Sequence, residues 1–143
     1  ACAIEPGAVG AGFGGAEGIA RAYDSSGSLL WQIETPLGRN IEHVAYGPTI
    51  DNHTSAWIVT WDEQLAIIES RVVSNSTPIM RAEVESRANT IVGNSQYLAL
   101  GFDDGSVFLL QGDLLSRRLA SDANSEVDEH RSVLADKLRR LRS

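Results

Sequence analysis

An all-β protein made of β-propeller blades and closed by one amphipathic α-helix is the fold this sequence predicts. Three observations carry that expectation. A short apolar strand that ends near an aromatic, turns on a few polar or glycine residues and returns as a second apolar strand occurs three times, at 8–24, 56–70 and 97–113. The aromatics of the three copies, Phe13, Trp61 and Phe102, lie 48 and 41 residues apart, a period that belongs to stacked four-stranded antiparallel sheets. After Ala120 the pattern changes from strand-like to helix-like. The chain is thus expected to divide into a partial propeller at 1–120, with about two and a half to three repeats, and a linker and helix at 121–143.

The hairpins come first in the argument. Aligned on their turns, Val9, Ala11 and Phe13 correspond to Trp57, Val59 and Trp61 and to Leu98, Leu100 and Phe102, alternate positions that share one strand face. The positions between them, Gly10 and Gly12, Ile58 and Thr60, Ala99 and Gly101, are small or uncharged, so the opposite face is expected to be covered too. A sheet sandwiched between two others needs that pattern. The Asp-Asp-Gly turn at 103–105 predicts a tight hairpin pairing 98–102 with 107–111, because glycine reaches positive φ without steric cost. Weaker strands flank the hairpins: 41–47 and 88–94 precede the second and third, and 28–34, 78–85 and 114–120 follow the three in turn. The segments 47–55 and 73–78 read as polar, proline-bearing loops.

Beyond 121–125, residues 126–143 place acids early and arginines late, the polarity that suits a helix dipole. Val127, Leu134 and Leu141 recur every seven residues, and Val133 and Leu138 widen the stripe. Such a stripe packs on its own domain or on a partner helix; it is short for a free-standing coiled coil. Closed propellers use about four to eight blades. The repeats counted here fall short, so the chain is expected to be the C-terminal piece of a longer propeller, which Ala1 in place of an initiator Met favours, or else to gain blades from other chains.

Charge narrows the functional classes. Nineteen acids against twelve bases give a net charge of −7, and eleven of those bases are Arg beside the single Lys137. The acid excess disfavours nonspecific phosphate binding, which depends on neutralising cations, so no nucleic-acid partner is expected. Together with abundant Ala, Gly and Asp it resembles proteins of halophilic archaea, with codon bias as the alternative. No apolar run approaches the roughly 20 residues of a membrane-spanning helix, and no secretory leader opens the chain; a cytoplasmic protein is the expectation. Cys2, the only cysteine, excludes an intrachain disulfide and a cysteine metal cluster, and modification of Cys2 by a lipid stays open.

Ala22, Asp24, Gly27, Leu30 and Trp31, within residues 20–35, resemble the repeat signature of quinoprotein-like (PQQ-like) propellers. The hairpins at 102–110 and 60–68 look similar to the middle strands of WD-repeat blades, although the closing Trp-Asp dipeptide of that family is missing after the third strand. The resemblance covers roughly 8–120 and implies a superfold, not an activity. It implies a role for Trp31 as a plug between adjacent blades.

Several motifs invite chemistry. Gly10, Gly12 and Gly15 have the spacing of a dinucleotide-binding loop, and Glu34 lies 24 residues after Gly10, near where a ribose-binding acid would sit. That reading requires a strand before the glycines, where Pro6 intervenes, and a helix after them. Asp103 and Asp104, like Asp62 and Glu63 in the preceding repeat, read as turn residues in preference to an acid-base pair. The quinoprotein metal and aspartate cluster is not supplied. His43, His53 and His130 show no ligand spacing; His43 beside Glu42 reads as a surface pair or a partly buried strand residue. No serine sits in a nucleophile elbow. Arg117, Arg118, Arg131, Arg139, Arg140 and Arg142 gather basic charge near the C-terminus and read as a solvated helix end.

The sequence therefore predicts no catalytic, cofactor-binding or metal residues. It points to a non-catalytic propeller scaffold for protein–protein interaction, using rim loops or the C-terminal helix. The alternatives are a fragment of a quinoprotein-type propeller enzyme whose active site lies in other blades, and a dinucleotide-binding domain using Gly10, Gly12 and Gly15.

Overall fold

Short strands whose apolar residues fall on both faces need a covering layer on each side, and that requirement organises the molecule. The computed structural model describes residues 2–4, 11–14 and 17–122. Three antiparallel sheets follow one another along the chain. Sheet A has the order β1 (Cys2–Ile4), β2 (Ala11–Gly14), β3 (Ile19–Tyr23) and β4 (Leu29–Glu34). Sheet B has β5 (Ile41–Ile50), β6 (His53–Trp61), β7 (Ala66–Val72) and β8 (Pro78–Val84). Sheet C has β9 (Ala88–Gly93), β10 (Tyr97–Phe102) and β11 (Val107–Gln111), followed by a helix α1 whose described part is 112–122. Each sheet is an open meander, and none closes on itself among the described residues.

Sheet B is the middle layer. Ile58 packs with Ile41 and with Ala20 of sheet A, while Trp31, Ile33 and Val44 close round them. Its neighbours on β6, Trp57 and Val59, point the other way and join Ala45 and Ile68 against Leu98, Leu100 and Phe102 of sheet C. Trp57, Val59, Leu98 and Leu100 are all fully buried. Burying a side chain of this size stabilises by about 1.5–3 kcal/mol, so the B–C interface is the main core. Strand β5 brings the sheets together, adjoining β1 and β2 on one side and β9 on the other. Its approach to sheet C is backbone on backbone. A Cβ on Gly93 would strike the Tyr46 carbonyl, and one on Gly47, at φ +94, would strike the Asn94 carbonyl.

Irregular register repeats from sheet to sheet. The ladder of β5 and β6 pairs Ile41 with Thr60 and then His43 with Val59, skipping Glu42. That of β9 and β10 pairs Ala88 with Phe102 and then Thr90 with Gly101, skipping Asn89. On the other side, Ser70 pairs with Met80 and Arg71 with Pro78, just as Ala22 pairs with Trp31 and Tyr23 with Leu29. A bulge inserts one residue into one strand and is a specified feature of a fold. Superposing the bulges makes Thr60, not Trp61, the counterpart of Phe102, and Ala99 the counterpart of Trp57.

This corrects the alignment expected from the turns. A one-residue slip exchanges the two faces of a strand, so the positions aligned by sequence, Trp57 with Leu98 and Val59 with Leu100, face each other across the B–C interface instead of facing the same way. The cause lies in the hairpins: sheet B extends to the Trp61–Ala66 pair before turning, whereas sheet C ends its ladder at Gly101–Val107.

Other expectations are also revised. Residues 114–120, expected as a fourth strand, belong to α1. Leu115 and Leu119, four apart, share one helix face and pack on the B–C core, while Arg117, Arg118 and Leu114 are exposed. The change of character expected after Ala120 thus begins at Gly112, inside the region assigned to the sheets. The expected loop 47–55 is mostly strand, because Asp51 and Asn52, at φ 48 and 63, make a two-residue turn that lets β5 and β6 run on together. Strand β1, which gives sheet A its fourth member, was not anticipated. The stripe at 126–143 and His130 lie outside the described residues.

Two substitutions test this core. Trp57→Ala removes the largest fully buried side chain and is expected to cost about 3–5 kcal/mol, a large part of the roughly 5–15 kcal/mol of a typical domain. Gly93→Ala forces β5 away from sheet C and should cost about 1–3 kcal/mol, as overpacking does. Urea midpoints at neutral pH measure both.

Candidate functional site

Five of the described hairpin turns are held by an acidic or amide side chain that accepts from the backbone ahead of it. Asp24 Oδ1 accepts from the amides of Ser26 and Ser28, both at 2.9 Å, and from the Ser26 hydroxyl. Asp62 Oδ1 accepts from the Gln64 and Leu65 amides at 3.0 and 2.8 Å, and Arg39 reaches its other oxygen at 3.3 Å. Asp104 Oδ1 accepts from the Ser106 amide and hydroxyl at 2.9 and 2.6 Å. The Ser26 hydroxyl leads the bonds that hold Asp24 below the usual carboxylate range, the Leu65 amide those on Asp62, and the Ser106 hydroxyl those on Asp104. Asp103 instead accepts from the Asn89 side chain at 3.2 Å. Asp62 and Asp104 therefore serve turns, as the sequence suggests, Asp24 does the same, and Asp103 and Asp104 have separate partners.

The remaining candidates are distributed, not gathered. His43 meets the Ala88 carbonyl oxygen through Nε2 at 2.9 Å, which ties sheet B to sheet C, and Glu42 pairs with Arg87 instead of with His43. The Glu42 carboxylate raises the Arg87 pKa, first by hydrogen bonding and then by charge. His53 is exposed beside the Asp51–Asn52 turn. Trp31 lies between sheets A and B, its ring N–H donating to the Val73 carbonyl at 2.6 Å. Gly12 stands in β2, paired with Ala3 and Ala22, while Gly10 and Gly15 lie outside the described residues. The helix that a dinucleotide loop needs is replaced by β3, Ile19–Tyr23, which runs back antiparallel to β2, and Glu34 pairs with Ile19 at the end of β4. Among the described residues no three His, Cys, Asp or Glu side chains gather as metal ligands, and no helix is long and apolar enough to cross a membrane.

Two surface features remain. One is a polar cleft of about 370 Å3 at the end of sheets B and C, where the Asp51–Asn52 turn, the 94–96 turn and the start of α1 meet. Its walls are fixed: the Asp51 amide donates to the Ser116 hydroxyl at 3.1 Å, Thr49 N–H to the Ser95 carbonyl at 2.9 Å and Gly112 N–H to the Gln96 carbonyl at 3.0 Å. Every one of these groups is engaged in joining the loops, which makes the cleft a structural seam. The other is the outward face of sheet C. There Val92 is 65%, Val107 70% and Leu109 65% exposed, with Tyr97 beside them. A shallow groove of about 510 Å3 runs over Ala99 between Val92 and Leu109. Thr90 and Gln111 end the face, and no charged side chain interrupts it. Exposed apolar residues scattered singly are ordinary, whereas these lie side by side on one sheet face.

This face was not singled out from sequence. Its signal was present in the apolar residues at 107, 109 and 92, but assigning them to solvent requires knowing that no described layer follows sheet C.

No family model and no curated protein matches the chain. Among solved structures, the crystal structure of the computationally designed Ika4 protein is similar with a TM-score of 0.35 and 12% identity, over 77% of this chain and 88% of that one, a likeness too slight to carry an argument.

The turn aspartates predict an acid sensitivity. Their bonds favour the ionised carboxylate, so the stabilisation is complete above the ordinary Asp value of about 3.9 and disappears as the pH falls through the depressed folded values. Asp104→Asn keeps an acceptor for the turn but cannot titrate. Its urea midpoint should fall less between pH 5 and the acid limit than that of the unaltered chain; equal falls would show that Asp104 contributes nothing.

Proposed function

We propose that the three sheets are successive blades of a β-propeller and that the protein is a non-catalytic scaffold for protein–protein contact, with the outward face of sheet C as its principal surface. Three features support the propeller reading. The same bulge recurs at the first ladder of sheets B and C, and another at the last ladder of sheets A and B. Sheets A and B turn the same rows of residues toward the sheet that follows each of them. The first strands adjoin in succession, β1 beside β5 and β5 beside β9, as innermost strands round an axis would.

The scaffold reading rests on the exposed apolar row of sheet C. At about 25 cal/mol per Å2 of apolar surface, leaving that row in water is a cost that a partner would remove. The turn aspartates, His43 and Trp31 are spent on structure, so they favour packing over chemistry.

Carbene footprinting gives the test, with the fully exposed Leu37 as internal reference. In cell extract, labelling of Val107 and Leu109 is expected to fall well below that of Leu37, because a protein covers the face. Labelling of all three in proportion to their free exposure would defeat the scaffold reading.

A further inference from the structure

The row of side chains that sheet C shows to solvent is the row that sheets A and B bury. In sheet B, Ala45, Trp57 and Ser70 are cross-strand partners, and they lie under sheet C. Counting from the shared bulges, their counterparts in sheet C are Val92, Ala99 and Leu109, which pair across its three strands in the same way. The counterpart of the bulky Trp57 is thus Ala99. Removing an indole from that row leaves the groove over Ala99, a depression that a large side chain from an opposing sheet can fill.

At the other end of the stack, the outward side of sheet A is also without a described neighbour. Its ladder places Arg21 opposite Gln32 and Tyr23 opposite Leu29, which is 52% exposed. Phe13 is paired with Arg21, which puts position 13 on that same side. The polar members do not disqualify this side from packing. In sheet B the counterparts of Arg21 and Tyr23 are Glu69 and Arg71, which are half-buried on the side toward sheet A and within 3.9 Å of each other. The existing A–B contact therefore already accepts charge at these positions.

From this continuity we infer that the outward side of sheet A of a second copy covers sheet C, so that two copies, each contributing three sheets, close into one ring of six. The inference rests on the propeller reading. Six falls within the four to eight sheets of closed propellers, whereas three copies would exceed it. The two contacts in such a ring are identical, as a twofold assembly requires, and each continues the step that relates A to B and B to C.

Sedimentation of the 143-residue chain at micromolar concentration is expected to give twice its 15.4 kDa mass. Leu109→Lys and, separately, Leu29→Lys should each halve that mass while leaving the far-ultraviolet circular dichroism unchanged, since both positions are exposed in the single chain. In a Cys2→Ser background, a chain carrying Leu29→Cys should be joined by a short bis-maleimide to one carrying Leu109→Cys. Linking of two Leu109→Cys chains to each other instead would mean a face-to-face dimer and would overturn the inference. A single-chain mass at every concentration would overturn it too. If Leu109 is nonetheless shielded in extract, the scaffold reading survives with a different occupant; if it is not, both fail.

Discussion

Two layers of side chains from β6 and β10 meet between sheets B and C, and the rest of the molecule is arranged by that contact. Trp57 and Val59 come from one side, Leu98, Leu100 and Phe102 from the other, with Ala45, Ile68 and Ala88 filling the spaces between them. Interiors pack at crystal-like density, so the contact fixes the separation of the sheets. That separation is set further by β5, whose carbonyls at Tyr46 lie where no side chain on position 93 could fit. The Trp57 ring nitrogen is satisfied inside this layer by donating to the Ser55 hydroxyl at 2.8 Å, and Ser55 in turn donates to the Pro48 carbonyl. A buried indole without that partner would leave a costly polar group in the core.

Because sheet B is covered on both faces, its strands carry apolar residues at consecutive positions, as at 56–59 and 66–68. Helix α1 then solves a problem at the far edge. Sheet C has three strands where A and B have four, and the Leu115–Leu119 face of the helix extends over the core beside Ile79, Met80 and Val84. The helix bonds most of its backbone within itself and adds no strand to the sheet, so β11 is left as an edge. Its outward residues Val107 and Leu109 are exposed, with no described layer over them.

The hairpins explain how acidic residues come to be structural here. A carboxylate at the first position of a turn satisfies amide donors that would otherwise point into solvent or loops. Asp24, Asp62 and Asp104 do this at three hairpins, Asn75 and Asn94 at two more. The many aspartates of an acidic chain thus need not signal catalysis. The propeller-scaffold proposal takes its function from surfaces, and the surface it uses on sheet C is apolar with a shallow groove over Ala99.

Much of this was legible in the residues. Alternation along 98–102, the Asp-Asp-Gly turn and the threefold hairpin determined that the chain is a series of antiparallel sheets, because strand period and turn chemistry are local properties. The turn roles of Asp62 and Asp104 were readable for the same reason, whereas the place of Trp31 between two sheets was implied only by the resemblance to quinoprotein-like repeats. What the sequence by itself could not determine was which way each face points. Trp57 and Leu98 look equivalent when counted from the turns, and only the bulges at Glu42 and Asn89 show them to be opposed. Residues 114–120 satisfy strand and helix patterns alike until the B–C core offers Leu115 and Leu119 a place. Register, the choice of helix for that last segment and the exposure of Val92, Val107 and Leu109 were decided by the tertiary structure, since each depends on what lies across a gap from residues distant in the chain.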